Sequence, residues 1–563
     1  MYKTAGDIAV EAAKNVISTT SNIKDAVNFS QKAMDEINVL TDLENQVRVK
    51  GNKVKIPSSL PSVTIAIGIA ERDDVALIAP GNKKNPGISP TMTKEQRMEL
   101  PIGIYQESGG NTGVWEVTNS PYYAFGELVE MYKPGATRND KMEIFTLLKS
   151  RLRVVTKCTV PYLVAVNNGI MDVKTKTLLP FSTDLVFASK IHTDLNMNAT
   201  NPRINIPEDG SVWDVDSWLA SLGSDSFVES IKEVIQAACV PLAPRDKMVL
   251  FYSKTGNNGK GTLCQLIRNL LGAESCVSIP LKDFSTRFGM SGLPGAVAVI
   301  VDENDVSSFN KGLGNLKAAI TGDTVKIEQK YQSSYDFSFN GLILQCVNDF
   351  PNGDDKTGSF KRRLHIIEFP NCFTGQQKRY IKDELIYRKD VLEYILKMVL
   401  VDMDYREAFT ETAETRTALK AYVTATNTVA AFLDEILPQC KWDLLPATDF
   451  LYEIYKEWYR RISPSGKVIG RNDFLDSVKD YVGTSLDHKS CWEWCDSCRS
   501  KGYIDSNVYE PLLLEYGVNS FTDSRHPNMG YARDFCLKEK YSGLKRISTV
   551  ATTDEDEKGG DTV

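Results

Sequence analysis

Residues 247–271 read KMVLFYSKTGNNGKGTLCQLIRNLL, and the fold turns on them. An apolar run of strand length enters a loop of Gly, Asn and Thr, then a lysine, then an amphipathic helix stopped by Gly272. Phosphate binding needs that order. Gly256 and Gly259, with Asn257 and Asn258 between them, let the backbone turn its N–H groups inward. The helix adds the positive end of its dipole, and Lys260 reaches the outer phosphates. Two positions depart from G-x-x-x-x-G-K-[ST]: Lys254 stands at the first glycine and Gly261 at the metal-binding hydroxyl, with Thr262 one residue later. The implied ligands are ATP and Mg2+, the ion held by water, by Thr262 and by an acid elsewhere.

That acid is supplied downstream. AVAVIVDEND carries Asp302 and Glu303 to the carboxyl end of a buried strand, the ligand face of a parallel sheet. Asp302 is expected to hold magnesium through water and Glu303 to act as general base on the attacking water. GLILQCVND ends a further strand at Asn348, whose amide can position that water or touch the γ-phosphate. In FKRRLHIIEF, Arg362 and Arg363 precede another strand, so their heads lie at its exposed end, suited to a neighbouring subunit's site. VKIEQ and YDFSF alternate about a short turn, a hairpin too polar at its tip for a core. Strands alternating with helices define the fold class: a multidomain α/β protein with a central parallel sheet.

Outward from the motor the boundaries expected are 1–150 (helical and mixed, collar or partner binding), 151–235 (a pre-motor segment with helical linker) and 236–375 (the motor). Residues 376–435 form a helical lid, 436–551 a small winged-helix-like module, and 552–563 an acidic, disordered tail. VTIAIGIA (63–70) and VALIAP (75–80) read as buried strands, and ERDD (71–74) as a solvated turn. No acidic pair ends an apolar strand before residue 150, so no polymerase metal site is expected there. Near the C-terminus, HKSCWEWCDSC spaces Cys491, Cys495 and Cys498 along one helix face as core; zinc, with His488, is the alternative.

Composition limits the remainder. Of 563 residues 42% are apolar and 25% charged, which excludes disordered and fibrous classes. Net charge is −7, so any nucleic-acid surface has to be local. Over 441–550 basic and acidic residues balance at 16 each, leaving Arg460, Arg461, Lys467 and Arg471, and Lys538, Lys540, Lys545 and Arg546, as the groups able to form a basic face. Apolar runs stop well short of the ~20 residues of a membrane span. The N-terminus lacks an apolar signal core, and eleven scattered cysteines form no oxidised framework, so a cytoplasmic protein is expected.

KTGNNGKGT, VIVDEND, ITGDTVKIEQKYQ, QCVND and FKRRLHIIEF together resemble the AAA+ motor of superfamily-three helicases, in the group of satellite-phage, plasmid and poxvirus-type primase-helicases. The likeness covers about residues 160–480 and is nearest to staphylococcal pathogenicity-island replication initiators. It implies a homo-hexamer that hydrolyses ATP between subunits and translocates on DNA, with origin duplex bound by the C-terminal module and a separate primase as a further partner. It also implies that Arg363 is the arginine finger, with Arg362 as second choice. Lys330 and Tyr331 fall at the tip of a DNA-gripping hairpin, and Lys326 adds charge on its first strand. The rival readings are a protein-remodelling ATPase, a small-molecule phosphotransferase and a DNA-binding initiator without turnover.

Overall fold

The computed structural model describes residues 2–49, 51–81, 92–304, 313–328, 330, 334–351, 359–462, 468–484, 491–526 and 528–547. Tyr331, Lys467, His488 and the tail 552–563 lie outside the described residues. The chain divides into two compact units, Met1–Leu419 and Lys420–Val563.

The first unit begins with helices Ala5–Thr19 and Ala26–Gln46. Thr4 and Asp7 form a reciprocal capping box that fixes the first helix start. Ser62–Ala70, expected as a strand, is a helix. An apolar run without polar punctuation carries no period to distinguish the two, and here Thr64 through Ile69 are all buried. Val75–Ala79 is the strand expected, paired antiparallel with Ile102–Tyr105 and parallel with Val154–Thr156. The charged turn before it is not solvated throughout. Arg72 and Asp74 are buried as a bidentate ion pair (2.8 and 2.7 Å), and Arg72 also donates to the Tyr132 hydroxyl. A pair held this well satisfies charges that would otherwise be costly to bury.

Residues 163–179 form a three-stranded antiparallel meander, Leu163–Val166, Gly169–Asp172 and Thr177–Leu179, whose first turn is made at Asn167 and Asn168. The segment after it joins two cores. Phe187 O accepts from Trp115 N (2.8 Å), and Lys190, buried, donates to Thr112 O. A few residues on, His192 N donates to Leu271 O and Thr193 Oγ1 to Leu270 O (2.7 Å), closing the end of the helix that follows the phosphate loop. Val164, Val166, Ile191 and Leu195 share one apolar core with the motor strands, so this segment is part of the motor's packing.

The motor sheet has five parallel strands in the order Cys276–Val277, Ala298–Val301, Leu342–Val347, Met248–Tyr252, Leu364–Glu368. The first strand in sequence, Met248–Tyr252, therefore lies between the fourth and the fifth. It is buried along its whole length, which explains the unbroken apolar run. The hairpin Thr324–Ile327 and Tyr335–Ser338 is inserted before the Leu342–Val347 strand. Val325 and Ile327 face inward, whereas Lys326 is exposed opposite Asp336. Among the described residues no helix is long and apolar enough to cross a membrane.

The second unit packs helices Thr428–Ile436, Tyr452–Ile462 and Arg471–Thr484 with a three-stranded antiparallel sheet. Val429, Phe432 and Leu433, expected in the lid, lie in this unit's core with Ile436, Tyr455, Trp458 and Phe474. Trp492–Arg499 is a strand, not the helix expected for the cysteine spacing. It pairs antiparallel with Lys540–Arg546 through a register shift between Cys495 and Cys498, and its aromatic residues favour a pleated surface. Cys495 and Cys498 are only half-buried there and are joined to each other as a disulfide. No group of three His, Cys, Asp or Glu side chains gathers for a metal among the described residues.

Candidate functional site

The phosphate loop springs from the buried end of Met248–Tyr252, and its helix runs Lys260–Leu271. Left-handed backbone occurs at Asn257 (φ 54°) and Gly259 (φ 90°). Gly256 has ordinary φ, so the conformational freedom expected of it falls on Asn257, a residue type that tolerates this region. Asn258 is buried, and its Nδ2 donates to Thr255 O (2.5 Å), bracing the loop from within.

Lys260 is buried at the loop's base. Its Nζ donates to Asn348 Oδ1 at 2.9 Å, to Val347 O at 3.2 Å and to Ser253 O at 3.4 Å. Burial holds its pKa below the ordinary lysine value. Two residues picked 88 positions apart thus meet directly. The contact follows from sheet order, because Met248–Tyr252 and Leu342–Val347 are adjacent and parallel and deliver both residues to one edge.

Asp302 and Glu303 emerge, exposed, just past Ala298–Val301 on the next strand over. Arg268, absent from the sequence reading, donates to Asp302 Oδ1 (2.8 Å) and to Ile300 O (2.9 Å). The clue was a single cation inside the apolar stretch Leu263–Leu271. Asn304 was also missed. Its Oδ1 accepts from Leu281 N, and its Nδ2 donates to Cys346 O (3.1 Å), tying the acidic strand's end to the strand that carries Asn348. Cys264 and Cys346, both fully buried, bring their sulfurs within 3.3 Å. The neighbouring thiol and burial hold Cys264 well above its usual pKa.

Asp302 and Thr262 are the groups that would hold magnesium, with Arg268 on one oxygen of Asp302 in its place here. Asp302 and Thr262 offer hard oxygens, and Mg2+ is ordinarily held by one or two carboxylates with phosphate oxygens and water, without a protein cage.

Arg362 and Arg363 lie in the turn Lys361–Arg363, at the other end of the sheet. The register pairs Met248 with Leu364 and Tyr252 with Glu368, so both arginines sit beside the start of the strand whose far end carries the phosphate loop. Five residues at about 3.3 Å each separate them from that loop by roughly 16 Å, beyond an arginine's reach. Arg362 is exposed, whereas Arg363 is half-buried and donates from Nη1 to Ser359 O (2.7 Å). Lys330 is exposed in the hairpin turn.

A further element clasps the loop. Phe373 N donates to Asn257 O (2.7 Å), Asn257 Nδ2 to Thr374 Oγ1 (3.2 Å), and Cys372 Sγ to Gly256 O (3.4 Å). Nothing in the sequence of 371–374 announces this, because it arises from the chain's return across the sheet edge.

In the second unit the basic groups named from sequence are largely paired with acids: Lys538 with Asp449, Arg546 with Asp443, Lys545 with Glu493, Arg461 with Glu515 and Arg460 with Glu457.

Residues 251–363 match a family of unknown function, DUF5906. The chain is 23% identical over 365 residues to a protein of Invertebrate iridescent virus 3 named "Putative helicase 121R", covering 57% of this chain and 37% of that one. It is 22% identical over 154 residues to replication protein E1 of Human papillomavirus 39, covering 27% of this chain and 22% of that one. The chain thus spans well under half the length of either viral relative. Among solved structures, the apo C-terminal region of NrS-1 aligns over 68% of this chain and 85% of its own, at 12% identity and a TM-score of 0.39. A second apo form of that region gives 13% identity, 68% and 89% coverage and a TM-score of 0.38. Those scores are too low to establish a shared fold. The chain is distantly similar in sequence to viral helicase and replication proteins.

Proposed function

We propose that this protein is an ATP-driven DNA helicase that initiates replication of a mobile element, acting as a homo-hexameric ring with an AAA+ motor in each subunit. The observation that carries the reading is the division of the site across the sheet. Phosphate loop, acidic pair and Asn348 share one edge of three adjacent strands, while Arg362 and Arg363 are at the opposite end of the neighbouring strand Leu364–Glu368. A second copy, arranged head to tail, brings the missing cation to the phosphates. The names of the viral relatives support replication as the context.

In the proposed cycle, ATP enters the nest of N–H groups about Asn257 and Gly259. Lys260 leaves Asn348 for the outer phosphates, exchanging a neutral acceptor for charged ones. The freed amide of Asn348 then faces the lytic water, which Glu303 deprotonates. Asp302, through water, and Thr262 would hold magnesium, which would supply charge neutralisation for the phosphates. Arg363, or Arg362, of the adjacent copy stabilises charge on the transferred phosphoryl group. Lys330 in the hairpin turn, with Lys326 on its first strand and Tyr331 as the next residue in sequence, grips single-stranded DNA without reading sequence. The second unit, with helices and a small sheet in winged-helix fashion, binds origin duplex, and a separate primase completes the assembly.

A remodelling ATPase would share the motor and differ in what the hairpin holds, whereas a small-molecule phosphotransferase would need no trans arginine. Unwinding of a forked duplex by purified protein tests the proposal. ATP-dependent strand separation, absent with Lys260→Ala, is expected; ATPase activity indifferent to DNA, with no unwinding, would reject it.

A further inference from the structure

Gly261, where a metal-binding hydroxyl was expected, lies in the first turn of the phosphate-loop helix. A Cβ added there would meet one neighbouring group within 4 Å, the Nζ of Lys382 at 3.9 Å. Lys382 belongs to the short helix Arg379–Asp383, is exposed, and forms no ion pair among the described residues. Its position is fixed from both sides. Upstream, residues 372–374 hold the phosphate loop through Gly256 and Asn257. Downstream, Ile386 O accepts from Asn269 Nδ2 (3.0 Å) on the phosphate-loop helix, and Leu385 and Ile386 are buried in the motor core.

An exposed ammonium with no ion-pair partner among the described residues thus lies beside the bare first turn of the loop's helix, whose N–H groups have no intrahelical acceptor. Lys260, one residue earlier in the helix, is buried and bonded to Asn348. The absence of a side chain at Gly261 leaves the ammonium an open path to whatever anion those N–H groups bind. The first turn past the loop faces the inner phosphates, not the terminal one, which Lys260 serves.

We propose that Lys382 is a second nucleotide-binding lysine, contributed by the same subunit, that contacts the α- and β-phosphate oxygens. The proposal rests on the phosphate-loop reading and adds a residue outside its motif. Equilibrium binding of fluorescent ATP and ADP analogues to the full-length protein, with magnesium and separately with EDTA, tests it. Lys382→Ala should weaken both nucleotides about tenfold, in EDTA as well, with an unchanged melting temperature without ligand. Lys382→Arg should recover most of the loss. If Lys382→Ala binds both within twofold of wild type while Lys260→Ala does not bind, the phosphate loop stands and this proposal falls. A loss confined to ATP also overturns it, because that would put the ammonium at the γ-phosphate. Failure of the wild-type protein to bind either nucleotide overturns both readings.

Discussion

Mixing two inactive variants tests whether the arginine works across a subunit boundary. Arg363 is about 16 Å along the sheet from its own phosphate loop, taking five residues at 3.3 Å each, with Met248 paired to Leu364 at the near end and Tyr252 to Glu368 at the far end. An extended arginine covers less than half of that. Arg363→Ala should therefore leave its own subunit's nucleotide binding intact and lower turnover by about 10³-fold or more, the usual size of an arginine-finger loss. Lys260→Ala should be equally inactive but keep its arginine. In rings assembled from equal amounts of the two, a site works when an intact phosphate loop, chance one half, faces an intact arginine, chance one half. Up to about one quarter of wild-type ATPase should then return from two dead parents. Steady-state phosphate release on rings pulled down through a tag on each variant reads this directly. No recovery in rings shown to contain both proteins refutes the trans assignment. Recovery with Arg362→Ala in place of Arg363→Ala, and not with Arg363→Ala, transfers the role to Arg362.

Glu303→Gln should bind ATP with unchanged affinity and turn it over at least about 10²-fold more slowly; ordinary turnover removes Glu303 as the base. Lys330→Ala should keep basal ATPase and ring assembly, lower DNA-stimulated ATPase, and reduce the salt slope of single-strand binding by roughly one. Unchanged DNA stimulation would favour a protein substrate in the channel instead. His365, buried against Phe409 with ring centroids 4.4 Å apart, has its pKa lowered to about 4 by burial, then by Lys247, against an opposing pull from Glu411. Neutral in the fold, it disfavours the folded state wherever the unfolded chain can take up the proton. Its contribution is thus complete above pH ~6.5 and declines by about 1.4 kcal/mol per pH unit as pH falls towards 4. His365→Phe, which keeps the stacked ring, should flatten that part of the stability–pH curve in denaturant melts, and an unaltered slope would assign the acid sensitivity elsewhere.

Local order in the chain was sufficient for the motor's strands and for the loop between Ser253 and Lys260, since a buried parallel strand has to read as an apolar run and a phosphate nest has to carry residues tolerant of left-handed backbone. The same signals failed wherever period was absent or ambiguous. Ser62–Ala70 is apolar on every side and became a helix, and Trp492–Arg499 carries cysteines spaced for a helix yet pairs as a strand with Lys540–Arg546. Arg72 and Asp74 looked solvated because a charge run gives no sign that Tyr132, far along the chain, will close over it.

By itself the amino-acid order offered the candidate groups: Lys260, Asp302, Glu303 and Asn348 were each picked from a short stretch with its flanking strand. Tertiary structure alone decided who meets whom. The sheet order put Lys260 on Asn348 and Arg268 on Asp302, brought 372–374 and Lys382 over the phosphate loop, and sent Arg362 and Arg363 to the far end. Each of these is a contact between distant segments, set by which strands pair and in which direction, and a linear pattern holds no record of that.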